Sequence, residues 1–338
     1  MKITGTHNQI ILSLLNFYRK NVGIKKDSKL LIIADENTDP RVYDYLGKAA
    51  TYFIPTGNIA LHIFKKPAGY HYVFPQSLIK LLKEADIIIS PTTVSIYHAK
   101  ELRDALDMSK KFFSMTGATV ETLYKYGAKA DFHSISKTAS KLKNLISSSE
   151  RINVFSEAGT HFSAVIQGRE ANMENSIGSY GKSATFPDIE VNTSIIEDTG
   201  EGKIVIDASA AGYGIISDPV TFTVAKGKIT SITGGKDARA IKRILQKIGD
   251  ENIYQIAEIG IGLNTHSRVY GCIIEDEAAY GTLHFGIGQN IFMGGLNRAK
   301  THLDFVMNNP RIFIDGGELV LGRDKITHLN KNIGKIYF

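Results

Sequence analysis

Four segments of this 338-residue chain carry histidines and acids at a spacing suited to one extended, metal-chelating surface. Successive side chains of a strand point to opposite faces, so residues two apart share a face. Over residues 301–307, His302, Asp304 and Val306 fall on one side and Leu303, Phe305 and Met307 on the other. An apolar side that anchors to a core would leave an imidazole and a carboxylate projecting together. Residues 283–288 repeat the design, with His284, Gly286 and Gly288 opposite Leu283, Phe285 and Ile287. The glycines there leave space beside the ring. Residues 256–262 put Glu258, Gly260 and Gly262 on one side, and residues 186–194 put Asp188, Glu190 and Asn192 on one side. Three carboxylates (Glu190, Glu258, Asp304) and two imidazoles (His284, His302) are ligands for zinc, manganese or cobalt, enough to bridge two ions in a hydrolytic site.

Other groups compete for roles. Glu275, Asp276 and Glu277 precede His284, either as an acidic turn or as a source of a further ligand or a general base for metal-bound water. His266 is a secondary candidate. Cys272 is the single cysteine; it lies among apolar neighbours and reads as a buried structural thiol. One cysteine excludes an internal disulfide and suits a reducing compartment. No G-x-S-x-G elbow is present, which disfavours a serine hydrolase.

The elements that must position these groups follow from the rest of the chain. Before residue 150, short apolar runs at 30–34, 59–64, 86–90 and 111–114 alternate with helical patterns at 39–52, 75–85, 96–108 and 135–147. This alternation predicts an open, mostly parallel α/β sheet. No G-x-G-x-x-G or P-loop turn opens any of the helices, so a nucleotide site is disfavoured. Near residues 147–150 the composition shifts to strands and glycine-rich turns. The expected organisation is an N-terminal α/β domain over 1–150 and a β-rich α+β domain over 151–338 that carries the metal site. Net charge is +6, but the lysines occur in short pairs such as Lys110-Lys111 and no long basic run exists, so no nucleic-acid partner is expected. Residues 10–18 show helical spacing of apolar positions without a small-residue cleavage site, and no stretch approaches the ~18 apolar residues of a membrane span. The expectation is a cytoplasmic protein with no membrane partner.

At the chemistry-bearing segments the chain resembles the aminopeptidase T group of metallo-aminopeptidases. The matching stretches are GTHF (159–162), FPDIEVNTS (186–194), AEIGIGLN (257–264), EDEAAYGTLHFGIGQN (275–290) and HLDF (302–305). The resemblance implies a homodimeric exopeptidase acting on small peptides, with two divalent ions (zinc, cobalt or manganese) on Glu190, Glu258, His284, His302 and Asp304. It also implies that Glu277 accepts a proton. The ring-opening 2,5-dihydroxypyridine dioxygenases are similar in scaffold and length, and that likeness implies one ferrous ion on His284, His302 and Asp304. Glu190 and Glu258 favour two metals and hydrolysis. A third reading is a binding protein that kept the fold without the chemistry; it is motivated by Ile291, where the peptidases carry a tyrosine, and by the interval of only eighteen residues between His284 and His302.

Overall fold

The computed structural model describes residues 5–65, 74–97, 99–107, 110–179, 181–322, 325–330 and 334–337. It is a mixed α/β structure, as expected, with one parallel sheet and two largely antiparallel ones. The chain divides into two compact units that interleave in sequence. One comprises residues up to Phe132 together with Glu174–Asp188; the other comprises His133–Met173 and residues from Ile189 on.

The first unit is built on five parallel strands. Across the sheet they run Ile59–Phe64, Leu30–Asp35, Ile87–Ser90, Lys111–Ser114 and Lys182–Thr185. The Leu30–Asp35 and Ile87–Ser90 strands are buried along their whole length, the pattern of a sheet covered on both faces. Leu31, Ile33, Ile88 and Phe112 form a core with Leu78, Leu82 and Leu102 from the crossover helices Gln76–Glu84 and Lys100–Asp107. Met108, the expected end of the latter helix, lies outside the described residues. The Pro40–Ala50 helix starts where the sequence indicates: Asp39 caps it by accepting from the Arg41 N–H, and Pro40 occupies the first turn. The fifth strand is an addition to the four expected from sequence.

The second unit stacks a nine-stranded sheet on a seven-stranded one. The central strands of the latter are, in order, His302–Asn308, Thr282–Gly288, Ile256–Gly262 and Glu190–Ser194, all antiparallel. One face of this four-strand panel is apolar. Phe285 meets Phe162 edge-on at 5.2 Å between centroids, and Phe305 meets Phe222 at 5.1 Å, both partners coming from the nine-stranded sheet. These fully buried rings, with Ile259, Ile261 and Leu283, lock the panel from behind. Everything on its other face is thereby held at fixed register. Among the described residues no helix is long and apolar enough to cross a membrane.

Candidate metal centre

The register turns four short motifs into a lattice. Glu190 lies opposite Gly262, and Asn192 opposite Gly260. Gly260 in turn lies opposite His284, and Glu258 opposite Gly286. Asp304 faces Gly286 and His302 faces Gly288. Acids and imidazoles on one strand thus lie opposite glycines of the next. The glycines are required sterically. A Cβ on Gly260 would collide with the His284 imidazole, and one on Gly286 would collide with both the His302 ring and the Glu258 stem.

The five side chains picked by strand periodicity come together in two overlapping groups, Glu190–Glu258–His284 and Glu258–His302–Asp304, each with ligand atoms within 4.8 Å of one another. His302 Nε2 is 2.9 Å from Glu258 Oε2 and 3.0 Å from Asp304 Oδ1. His284 Nε2 is 3.6 Å from Glu258 Oε1 and 3.5 Å from Glu190 Oε2. His302 Nδ1 donates to the Gln289 carbonyl at 2.7 Å, which fixes the ring plane and aims Nε2 into the pocket. Asn192 Nδ2 donates to Glu190 Oε1 at 2.5 Å. Glu190 Oε2 and His284 Nδ1 are buried with no hydrogen-bond partner. Burial of Glu190 and His284 is nearly complete, whereas the His302 and Asp304 side chains retain 15% and 21% exposure, so the pocket opens on their side.

The electrostatics are those of an acid-rich pocket short of positive charge. Burial pushes Glu190 up to about 7, against the pull of His284. Burial also acts to raise Glu258, but the adjacent His284 and His302 imidazoles override it and hold that carboxyl well below the usual range. For both imidazoles burial opposes protonation. Glu190 and Glu258 nevertheless raise His284 to about 9, and Asp304 and Glu258 raise His302 well above an ordinary histidine. A divalent cation would satisfy the same carboxylates without protonating either ring. The nitrogen-and-oxygen donor set, the unpaired buried atoms and the glycine floor all fit a first-row divalent metal.

The remaining candidates do not join these groups. Asp276 organises its own loop, accepting from the N–H groups of Tyr270 and Gly271. Glu277 follows the short Ile273–Asp276 helix and is half-buried. His266 pairs with the neighbouring Thr265 hydroxyl at 3.3 Å. Asp188 precedes the Glu190–Ser194 strand rather than extending it. Cys272 is buried. The Gln289 carbonyl was not foreseen, because a backbone acceptor has no signature in residue type.

The profile of the family described as "NicX: 2,5-dihydroxypyridine 5,6-dioxygenase" matches residues 23–324. The chain belongs to the NicX family. A curated relative, the 2,5-dihydroxypyridine 5,6-dioxygenase of Pseudomonas putida KT2440, is 27% identical over 198 residues, an alignment covering 55% of this chain and 57% of that protein. The chain thus aligns with little more than half the length of this relative. A solved structure of 2,5-dihydroxypyridine dioxygenase from the same organism superposes with a TM-score of 0.79 at 19% identity, covering 95% of this chain and 98% of that one. Wild-type AmpT from Thermus thermophilus superposes with a TM-score of 0.64 at 11% identity, covering 99% and 98%.

These findings correct three expectations. The aminopeptidase T resemblance is one of fold alone, and assignment to that group is overturned by the match to the NicX family. The expected peptide hydrolysis falls with it. So do the two zinc, cobalt or manganese ions, because the dioxygenase resemblance implies a single iron. The proton transfer expected of Glu277 is tied to that hydrolysis, and the structure leaves Glu277 outside both groups. The physical reason for the error is specific. Residue type alone suits Glu190 and Glu258 to a second ion, yet an acid beside a metal serves equally well as a partner of the imidazoles or as a proton acceptor.

Proposed function

We propose that this protein is an iron-dependent ring-cleaving dioxygenase for dihydroxylated pyridines, with one ferrous ion held by His284, His302 and Asp304. The observation that carries the reading is the match to the NicX family over residues 23–324; beside it stands His302, whose Nδ1 is tied to the Gln289 carbonyl while its Nε2 faces two carboxylates. Two histidines and one carboxylate leave open positions on such an ion. A bound ferrous ion supplies the one-electron chemistry that lets oxygen react with a closed-shell ring.

The chain's own residues would do the rest. Three carboxylates with neutral imidazoles carry −3; one divalent ion leaves −1, and a proton on one acid neutralises the pocket. Glu190 is the acid that burial suits to hold that proton. Its Oε2, 3.5 Å from His284 Nε2 and without a hydrogen-bond partner, would exchange it with a ring hydroxyl, near the neutral range where general bases work best. Glu258, in contact with both imidazoles, orients them. We further propose a homodimer in the cytoplasm, in keeping with the single cysteine, acting on a small molecule rather than on nucleic acid or a membrane.

Elemental analysis of protein purified without chelator, together with an oxygen electrode, tests this reading. About one iron per chain and oxygen uptake with 2,5-dihydroxypyridine are expected. Two non-iron ions per chain and no uptake across a panel of hydroxylated pyridines would overturn it.

A further inference from the structure

The segment 289–301 joins the two histidine strands, and its first carbonyl orients His302. What holds that segment is a partly buried ion pair outside the metal-facing set. Arg169 Nη2 lies 2.6 Å from Glu197 Oε2, with the two side chains 10% and 21% exposed. Arg169 Nη1 also donates to the Gly294 carbonyl. The second oxygen of Glu197 accepts from the Leu296 N–H at 2.6 Å and from Asn290 Nδ2 at 3.0 Å. Asn290 is the residue next to Gln289. Its Oδ1 accepts from the Asn297 N–H at 2.8 Å, and Asn297 Nδ2 reaches back to the Gly288 carbonyl at 2.6 Å. A cross-link from the site strand itself is added by Ser194, whose hydroxyl donates to the Met293 carbonyl at 2.8 Å.

We propose that the Arg169–Glu197 pair is a positioning device for His302. It clamps residues 290–297 so that the Gln289 carbonyl stays where it fixes the imidazole for metal binding. The proposal rests on the reading of His302 as a metal ligand. Its physical basis is the geometry of the fork. A guanidinium makes two directed bonds at once, here one to Glu197 and one to Gly294, which a point-charge ammonium does not reproduce. Glu197 in turn divides its two oxygens between the arginine and the loop. Removing either partner leaves a partly buried charge without its mate and frees the loop to drift. Groups that orient a metal-bound histidine are worth ~10–100-fold in affinity when lost. This pair acts one link further out, so the low end of that range applies.

The test is a cobalt(II) titration of chelator-stripped full-length protein, read by the visible d–d bands, with thermal unfolding of the metal-free form measured alongside. Glu197→Ala is expected to weaken cobalt binding about 10-fold and to shift the d–d bands. Glu197→Gln keeps an acceptor for Leu296 and Asn290, so it should recover part of that loss; it is also the variant to rely on if Glu197→Ala does not fold. Arg169→Lys should resemble Glu197→Ala rather than wild type. Wild-type affinity and spectrum in Glu197→Gln and Arg169→Lys, with only a lowered unfolding temperature, would make the pair a plain structural contact and overturn the proposal. His302→Ala separates the two readings: if it binds cobalt as tightly as wild type, the metal-ligand assignment fails, whatever the clamp variants do.

Discussion

Asp35 and Glu190 are both acids buried at a sheet, 1% and 4% exposed, yet they stand in opposite chemical situations. Asp35 ends its strand where the order of the parallel sheet reverses, the place where open α/β sheets commonly bind ligands. There Oδ2 accepts from the Thr93 N–H at 2.5 Å and from the Thr93 hydroxyl at 2.9 Å, and Oδ1 accepts from the Asn37 N–H at 2.9 Å. The surrounding hydroxyls pair among themselves, Ser90 with Thr92 and Ser114 with Thr116, both at 3.0 Å. Glu190 keeps one oxygen without a hydrogen-bond donor, and the nearby His284 keeps one nitrogen likewise. Buried polar atoms are nearly always paired. At Asp35 the chain pairs the acid itself and builds a turn; at Glu190 the oxygen left over belongs to the cluster that could hold a metal. The difference separates structural acids from chemical ones more sharply than residue type does.

The strongest way to break this contrast is to remove a ligand from the unpaired region. His302→Ala should abolish oxygen uptake and weaken cobalt(II) or iron(II) binding by more than the ~100-fold typical of losing an orienting partner. Retained affinity, by titration, would contradict the contrast. A smaller effect is expected from Gly260→Ala, whose new Cβ would push the His284 ring off its place. Metal affinity should fall by ~10–100-fold with the fold retained by circular dichroism. Asp35→Ala should do the reverse. Unpairing the Thr93 and Asn37 donors costs about 1–3 kcal/mol in denaturant unfolding, with metal affinity unchanged; a change in metal affinity would erase the distinction between the two regions. The mildest test uses Asp237, a buried but satisfied acid of the second unit, which accepts from the Tyr213 hydroxyl at 2.6 Å and the Ser217 N–H at 2.7 Å. The Tyr213 hydroxyl, then the Asp218 and Ser217 N–H groups, hold its carboxyl well below the usual range. A depressed folded-state value means stability present at neutral pH and lost as the pH falls below the ordinary carboxylate value near ~4. The unfolding temperatures of wild type and Asp237→Asn should therefore differ by a constant amount from pH 7 to pH 5 and converge below that. A gap that does not narrow between pH 5 and pH 2 would refute the assignment.

Much of the site was legible in sequence because a strand has period two and this panel is apolar on its back. Leu283, Phe285 and Ile287 can face a core only if His284 faces away, and the same holds for Phe305 and Met307 against His302 and Asp304. The parallel sheet was legible for a similar reason: runs such as Leu30–Asp35, buried on both faces, leave little alternative. Three things were hidden. Lys182–Thr185, which completes the parallel sheet, comes from beyond the compositional shift and carries no apolar run. Arg169 and Glu197 look like any surface pair until the loop they hold is seen. The number and kind of metal ions were hidden most deeply, because the same five side chains serve hydrolysis or oxygenation; the family match, not the donor set, separates them.

The glycines opposite the two rings have one more consequence. With bare main chain beneath them, His284 over Gly260 and His302 over Gly286, the two rings take their offset from the register of neighbouring strands, one strand across at ~4.7–4.9 Å and two residues along. That interval belongs to backbone hydrogen bonding and is indifferent to which side chains surround it. Descendants of this scaffold are free to exchange loops, rims and substrates while the gauge between the two nitrogens stays set, much as a tool keeps its calibration when only the handle is replaced.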